Sequence, residues 1–183
     1  MNLILFHFLN GLAGHTIIID KIMIFLAVYS PVVYVLLMIV QWFLCGDKGK
    51  KASVEAFFAA VIAMALNLTI SKIYFEPRPF VHHKVNLLVN HPADASFPSD
   101  HAAFGSALAF AEIMYDKVIG SIMMILTIIL LFARVYVGVH YPIDMIGGFF
   151  IGYISSKIVK YGSFIFNPIE TSVLNMWHKV FSN

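Results

Sequence analysis

The chain has 183 residues, of which 60% are hydrophobic and 12% are charged, and its mean hydropathy is +0.85. Soluble domains are about half apolar and about a quarter charged, so this composition excludes an ordinary soluble enzyme and indicates a polytopic membrane protein. A formal net charge of +2 without a basic stripe argues against a nucleic-acid-binding protein. The single cysteine, Cys45, cannot form an internal disulfide. We therefore expect an all-α transmembrane helix bundle that forms one domain over residues 1–183.

Hydrophobic runs divide the chain into an N-terminal segment, five membrane spans and a C-terminal segment. Residues 2–12 are too few to cross about 30 Å of hydrocarbon, so they predict an interfacial helix; because basic residues are missing at its start, we do not expect a cleaved signal peptide. The predicted spans are 22–44, 53–75, 99–115, 118–137 and 142–159. Residues 164–181 contain Pro168, Glu170 and Lys179, which favour a surface-lying segment, with a sixth span as the alternative.

Lysines are distributed unevenly between the two ends of these spans. Five spans joined by short turns place the loop 46–52, the turn after the third span and the end of the fifth span on one side. That side carries Lys48, Lys50, Lys51, Lys117, Lys157 and Lys160. By the positive-inside rule the lysine-rich side faces the cytoplasm, and the opposite ends of the spans face outward.

Ionisable residues at the lysine-poor ends of the spans are candidates for function, because charged groups are costly beside lipid. Six of them fall on this side: Lys72, Arg78, His101, Arg134, His140 and Asp144. Both arginines of the protein are in this set, and the planar guanidinium suits phosphate and carboxylate recognition. Taken alone, Lys72 is explained as a helix-end lysine that reaches the membrane interface. The convergence of the six residues is what indicates a site.

Two short patterns suggest chemical roles. The Pro-Ser-Asp-His string at 98–101 precedes a predicted helix, where Ser99 can cap the helix and free backbone N–H groups can bind an anion; a capped structural helix is the alternative. Asp144 follows His140 by four residues, a spacing that places both on one helical face. A carboxylate bound to one imidazole nitrogen fixes the tautomer and leaves the other nitrogen free to attack. A structural His–Asp pair is the alternative here.

In order along the chain, these residues resemble the three-part signature of the type 2 phosphatidic acid phosphatase superfamily. The matching positions are Lys72, Arg78-Pro79, Pro98-Ser99-Asp100-His101, Arg134, His140 and Asp144, all within 72–144. Five residues separate Lys72 from Arg78, where the family usually has six. The aspartate at position 100, the Asn-Gly-Leu-Ala-Gly-His string at 10–15 and Phe80-Val81 are similar to the bacterial undecaprenyl-diphosphate phosphatase branch, which is associated with bacitracin resistance.

The resemblance implies a membrane phosphatase that works through a phosphohistidine, without a metal or another cofactor. His140 would attack phosphorus, Asp144 would orient His140, and His101 would protonate the leaving oxygen and then activate water. The phosphate-binding groups would be Lys72, Arg78, Ser99, Arg134 and the backbone N–H at Asp100. The implied substrates are polyprenyl or glycerolipid phosphates, above all undecaprenyl diphosphate. The implied location is the bacterial cytoplasmic membrane with the site facing outward, where the carrier lipid of cell-wall synthesis is recycled.

Other functions fit parts of the same pattern. A phosphatidic acid or phosphatidylglycerophosphate phosphatase would use the same residues. The loop after the second span carries His82, His83 and His91, and a metal transporter is the non-enzyme alternative that would use them; no compact ligand pair supports a zinc site. A solvated loop, or one that admits the head group, explains these histidines equally well. A channel or transporter also predicts ionisable residues near the bilayer midplane, whereas these residues lie at one end of the spans.

Small residues predict where helices come close together. Gly148 and Gly152 are four residues apart on the fifth span, and Gly105 and Ala109 have the same spacing on the third. Such spacing lets membrane helices approach at backbone distance. This pattern concerns packing and carries no chemistry.

Overall fold

A computed structural model describes residues 1–181 as helices joined by short turns and one long loop. The elements are α1 (Asn2–Asn10), α2 (Ile17–Leu44), α3 (Gly46–Ile73), α4 (Pro79–His82), α5 (Asp100–Ile113), α6 (Lys117–Tyr136), α7 (Pro142–Tyr161) and α8 (Ser163–Phe181). The only β pairing among the described residues is an isolated bridge between Pro77 and Ala95. The predicted all-α membrane bundle is confirmed.

Three helices, α2, α3 and α6, are long and apolar enough to cross a membrane. The other two predicted spans correspond to α5 and α7. With 14 residues, α5 covers about 21 Å at 1.5 Å per residue, which is less than the hydrocarbon thickness of about 30 Å. Most of its side chains are buried, so α5 is an interior helix of the bundle rather than one that faces lipid along its length.

The helices α5 and α7 pack at backbone distance, and glycines on α7 allow this close contact. A Cβ at Gly152 would lie 2.5 Å from the backbone nitrogen of Ala107 and 2.7 Å from the carbonyl oxygen of Ala103. A Cβ at Gly148 would lie 2.5 Å from the carbonyl oxygen of Ser99. No side chain fits in these spaces, so the prediction of close packing at Gly148 and Gly152 is confirmed.

The C-terminal helix α8 lies against the lysine-bearing end of the bundle. Near its start, the Phe166 ring packs on Phe58 of α3, and near its end the Trp177 ring packs on Trp42 of α2. Glu170 forms an ion pair with Lys51 at 3.2 Å. All three contacts lie in the halves of α2 and α3 that meet at the lysine-bearing end, which agrees with a surface-lying segment.

The opposite end of the bundle is covered by α1 and by the long loop 74–97. The loop closes on itself at its base, where the Ser96 N–H donates to the Glu76 carbonyl at 2.7 Å. Asn10 of α1 holds the middle of the loop: its Oδ1 accepts from the Asn86 N–H at 2.8 Å, and its Nδ2 donates to the Asn86 carbonyl at 2.9 Å. The loop thus has a fixed path over the ends of the helices.

Candidate active site

His140 lies in the turn between α6 and α7 and is 1% exposed. Its Nδ1 is 3.3 Å from Oδ2 of Asp144, a fully buried residue in the first turn of α7. The same oxygen accepts the Tyr141 backbone N–H at 2.8 Å. An Nδ1–H that donates to this carboxylate leaves the Nε2 lone pair free, which is the tautomer that a nucleophilic imidazole needs. The α6–α7 turn can form because Gly138 adopts a φ of 89°.

Two guanidinium groups converge on Nε2 of His140. Arg78, at the start of α4, places Nη1 at 3.0 Å from this nitrogen, and Arg134, near the end of α6, places Nη2 at 3.3 Å. Each arginine is 3% exposed and is fixed by a second contact: Arg78 Nε donates to Asp94 at 2.6 Å, and Arg134 Nη1 donates to the Ala27 carbonyl at 3.1 Å. A phosphoryl group at Nε2 would meet charged donors from both sides.

The surroundings of His140 keep its imidazole neutral. Burial has the largest effect, and the positive charges of Arg134 and then Arg78 add to it, so that the pKa of His140 lies well below its ordinary value. His101 and His91 are close enough to lower this pKa further. The lone pair of Nε2 is therefore available at neutral pH.

The start of α5 places the Pro-Ser-Asp-His string at the end of the bundle where His140 lies. Ser99 is the N-cap of α5 and is fully buried; its Oγ accepts the Ala102 N–H at 3.4 Å, so the predicted cap is confirmed. The Ser99 N–H donates to the Asp144 carbonyl at 3.2 Å, which ties the starts of α5 and α7 together. The Asp100 carboxylate accepts from Nδ2 of the buried Asn67 at 2.5 Å. His101 follows in the first turn of α5 and is half-buried.

Lys72 is the predicted phosphate-binding residue at the end of α3. It lies one residue before the end of α3, and its side chain is exposed. Within residues 1–181 it forms no hydrogen bond or ion pair. The one-residue difference in spacing to Arg78 changes the direction of a helical side chain by about 100°, and a role of Lys72 in phosphate binding stays a prediction.

The three loop histidines lie in different surroundings. His82 is exposed, and His83 packs against the ring of Tyr141 at 6.2 Å between ring centroids. His91 lies beside His140, at 6.3 Å between centroids. Across residues 1–181, no three His, Cys, Asp or Glu side chains are grouped as a metal site requires. The histidines therefore do not form the shared ligand set that a metal-transport site would need.

Comparison with known proteins identifies the family to which this chain belongs. A sequence model described as the PAP2 superfamily matches residues 52–167, which include every predicted site residue. The chain belongs to the PAP2 superfamily. The resemblance to the type 2 phosphatidic acid phosphatases is confirmed, and the protein is a membrane phosphatase.

Three related proteins align along 73% to 98% of this chain. Undecaprenyl-diphosphatase BcrC of Bacillus subtilis is 32% identical over 180 residues, which cover 98% of this chain and 93% of the relative. An undecaprenyl-diphosphatase of Sulfolobus acidocaldarius is 29% identical over 73% of this chain and 66% of the relative. Bacitracin transport permease protein BcrC of Bacillus licheniformis is 29% identical over 87% of this chain and 79% of the relative.

Solved PAP2-type structures have the same fold. The crystal structure of Aquifex aeolicus LpxE superposes with a TM-score of 0.73 at 26% identity, over 87% of this chain and 94% of that chain. A transmembrane PAP2-type phosphatidylglycerolphosphate phosphatase from Bacillus subtilis superposes with a TM-score of 0.62 at 18% identity, over 86% of this chain and 84% of that chain. The second similarity concerns the fold alone.

Two supporting residues of the site were not predicted from the sequence. The fully buried Ser96 donates its hydroxyl to Asp144 Oδ2 at 2.5 Å, so the carboxylate that faces His140 is itself held in place. Asp94 binds Arg78 Nε and orients that guanidinium. Ser96 precedes the helix-capping string without any periodic pattern, and Asp94 is one of several polar loop residues. Only their contacts in the folded chain, Ser96 with Asp144 of α7 and Asp94 with Arg78, identify them.

Proposed function

We propose that this protein is an undecaprenyl-diphosphate phosphatase that releases the terminal phosphate and leaves undecaprenyl phosphate. Two relatives carry the name of this activity, and the B. subtilis relative aligns with almost the complete chain. The observation that carries the proposal is the position of His140 Nε2 between two buried guanidinium groups, with Nδ1 facing a carboxylate. This arrangement presents a neutral nucleophile inside a phosphate-binding pocket.

In the first half of the reaction, Nε2 of His140 attacks the terminal phosphorus. The bond between that phosphorus and the bridging oxygen breaks, and its electron pair leaves with the lipid phosphate. Arg78 and Arg134 stabilise the negative charge that develops on the terminal phosphoryl oxygens. Asp144 accepts the Nδ1–H and stabilises the positive charge that the imidazole gains when it is phosphorylated.

In the second half, water attacks the phosphohistidine. His101 takes a proton from this water as its oxygen bonds to phosphorus, and the phosphorus–nitrogen bond breaks with its electrons returning to Nε2. Inorganic phosphate leaves, His101 releases the proton to bulk water, and His140 is again neutral. Arginine side chains supply the positive charge at the phosphoryl group. Residues of this chain thus carry out each step of the cycle.

The proposal is tested by measuring phosphate release from undecaprenyl diphosphate, phosphatidic acid and phosphatidylglycerophosphate in parallel, with EDTA present. We expect undecaprenyl diphosphate to have the highest kcat/KM, and His101→Ala to reduce it by about 100-fold or more, as removal of a general acid–base group does. His178→Gln, an exposed histidine at the other end of the bundle, is the matched control. A preference for either glycerolipid would reject the proposed substrate, and activity that depends on added zinc would reject the mechanism.

We further propose that the site faces outward from the bacterial cytoplasmic membrane, where the lipid carrier is recycled for cell-wall synthesis. The distribution of lysines supports this orientation. Lys48 and Lys51 are exposed at the lysine-bearing end, whereas Lys50 is buried. An amine-reactive reagent that does not cross membranes should leave Lys48 and Lys51 unlabelled in intact cells and label them in inverted vesicles. Labelling in intact cells would reverse the orientation.

A further inference from the structure

His91 is the one loop histidine that faces the catalytic centre. Its ring lies edge-to-face with that of His140, at 6.3 Å between centroids, and its side chain is 19% exposed. Rings at this separation are direct neighbours, so His91 borders the pocket in which His140 lies. His91 lies outside the signature positions, and the reaction described above gives it no role.

The loop holds His91 in place from both sides. Before it, the Leu88 N–H donates to the Val137 carbonyl at 3.1 Å, and Leu88 packs against the core at the end of α6. After it, Asp94 binds Arg78, and Oδ1 of Asp94 is also 3.6 Å from His91 Nδ1. A side chain fixed in this way is suited to contact a ligand with little loss of conformational entropy.

The contacts of the His91 ring leave one nitrogen for a ligand. Nδ1 lies 3.1 Å from the Pro92 carbonyl, to which it can donate. Nε2 has no hydrogen-bond partner within residues 1–181. Burial has the largest effect on the pKa of His91 and lowers it, while the hydrogen bond to Pro92 acts in the opposite direction. A phosphate at Nε2 adds negative charge, which favours a protonated ring that donates to the phosphate from this nitrogen.

The leaving group of a diphosphate needs a different kind of stabilisation from the leaving group of a monophosphate. A lipid monophosphate releases an alkoxide, which needs a proton from a general acid because its conjugate acid is very weak. A lipid diphosphate releases a phosphate monoester, whose second pKa is about 6. This group can leave without a proton, but its negative charge must be stabilised by a nearby donor or cation.

We propose that His91 binds the lipid-side phosphate of a lipid diphosphate and makes the site selective for diphosphates over monophosphates. As the bond between the terminal phosphorus and the bridging oxygen breaks, the electron pair moves onto the departing lipid phosphate. The His91 N–H donates to this phosphate and offsets the added charge. His140 accepts the terminal phosphoryl group, while Arg78 and Arg134 remain on its oxygens. This inference rests on the proposed function and identifies His91 as the residue that distinguishes diphosphate from monophosphate substrates.

Matched variants test His91 with two substrates that share one tail, a polyprenyl diphosphate and the corresponding polyprenyl monophosphate. We expect His91→Phe to lower kcat/KM for the diphosphate by about 10- to 100-fold, the range for loss of a charged hydrogen bond, and to change the monophosphate value by less than about threefold. His91→Gln retains an amide donor and should recover part of the loss. His82→Gln, at an exposed position of the same loop, should behave as the wild type does.

A comparison with His101 separates contact with the substrate from a structural effect. Because His101 supplies the proton that an alkoxide needs, His101→Ala should reduce monophosphate hydrolysis more than diphosphate hydrolysis, opposite to His91→Phe. Equal losses on both substrates in His91→Phe would show a structural role and overturn the inference, and so would unchanged diphosphate activity. Failure of the proposed function would be seen separately, as a wild-type protein that does not hydrolyse the diphosphate.

Discussion

Replacing His140 with glutamine should abolish turnover, with kcat reduced by on the order of 10⁴-fold or more, the scale seen when a catalytic nucleophile is removed. Glutamine is close to histidine in size but cannot form the covalent intermediate. The two arginines that contact Nε2 would still bind phosphate, so KM should change much less than kcat. Phosphate release from a diphosphate with a radiolabelled terminal phosphate measures the effect.

The same labelled substrate tests the intermediate directly. The wild-type protein, quenched with alkali during turnover, should carry label with the acid lability of a phosphohistidine, and His140→Gln should carry none. Asp144→Asn retains the nucleophile and should still become labelled, more slowly. Label retained by His140→Gln, or turnover above about 1% of wild type in a variant with a normal thermal unfolding midpoint, would assign the nucleophile elsewhere.

Replacing Gly152 with valine should destabilise the whole bundle, because it forces α5 and α7 apart. The new Cβ would lie 2.5 Å from the Ala107 nitrogen and 2.7 Å from the Ala103 carbonyl oxygen, which are backbone atoms that cannot rotate away. Overpacking of a tight core costs about 1–3 kcal/mol and occasionally more, and we expect the upper end here. Since α5 carries His101 and α7 carries Asp144, activity should fall together with the thermal unfolding midpoint in detergent.

Two further variants of α7 make this prediction specific. Ile154 lies two residues further along α7 and is 50% exposed; Ile154→Val changes a bundle surface and should leave the unfolding midpoint close to that of the wild type. Gly152→Ala adds only the Cβ itself and should show a smaller loss than valine. If both Gly152 variants unfold at the wild-type temperature, the α5–α7 contact is looser than the backbone distances indicate.

Local sequence patterns were sufficient to predict the helices and the ionisable residues that lie near their ends. The apolar runs that form α2, α3 and α6 are long enough to be recognised individually, and Arg134 and His140 stand out because charge is costly beside lipid. The ends were less accurate: α2 begins at Ile17, ahead of the charged Asp20 and Lys21, and α3 begins at Gly46 with a polar first turn. The predicted contact between His140 and Asp144 is observed, but His140 lies in the turn before α7 and not on the same helical face as Asp144.

The supporting residues could not be predicted because they depend on contacts far apart in the chain. Ser96 reaches Asp144 across 48 positions, and Asp94 reaches Arg78 across 16. The loop that carries Ser96 and His91 has no helical period, and its path is set by its closure at the base and by its contact with Asn10. Lys72 shows the converse case, since its motif position matches in order along the chain, yet its exposed side chain has no hydrogen-bond or ion-pair partner within residues 1–181.

The hydrogen bonds between Asn10 and Asn86 have a practical consequence for handling this enzyme. Residues 52–167 match the family, but the loop that carries His91 and Asp94 is held in part by a helix that begins at Asn2. Asn2 itself accepts the Ile143 N–H at the start of α7 with its side chain at 3.1 Å. Trimming the first ten residues, or joining a bulky fusion partner to Met1, would disturb these contacts. Affinity tags for purification are therefore better placed after α8, at the end remote from the active site.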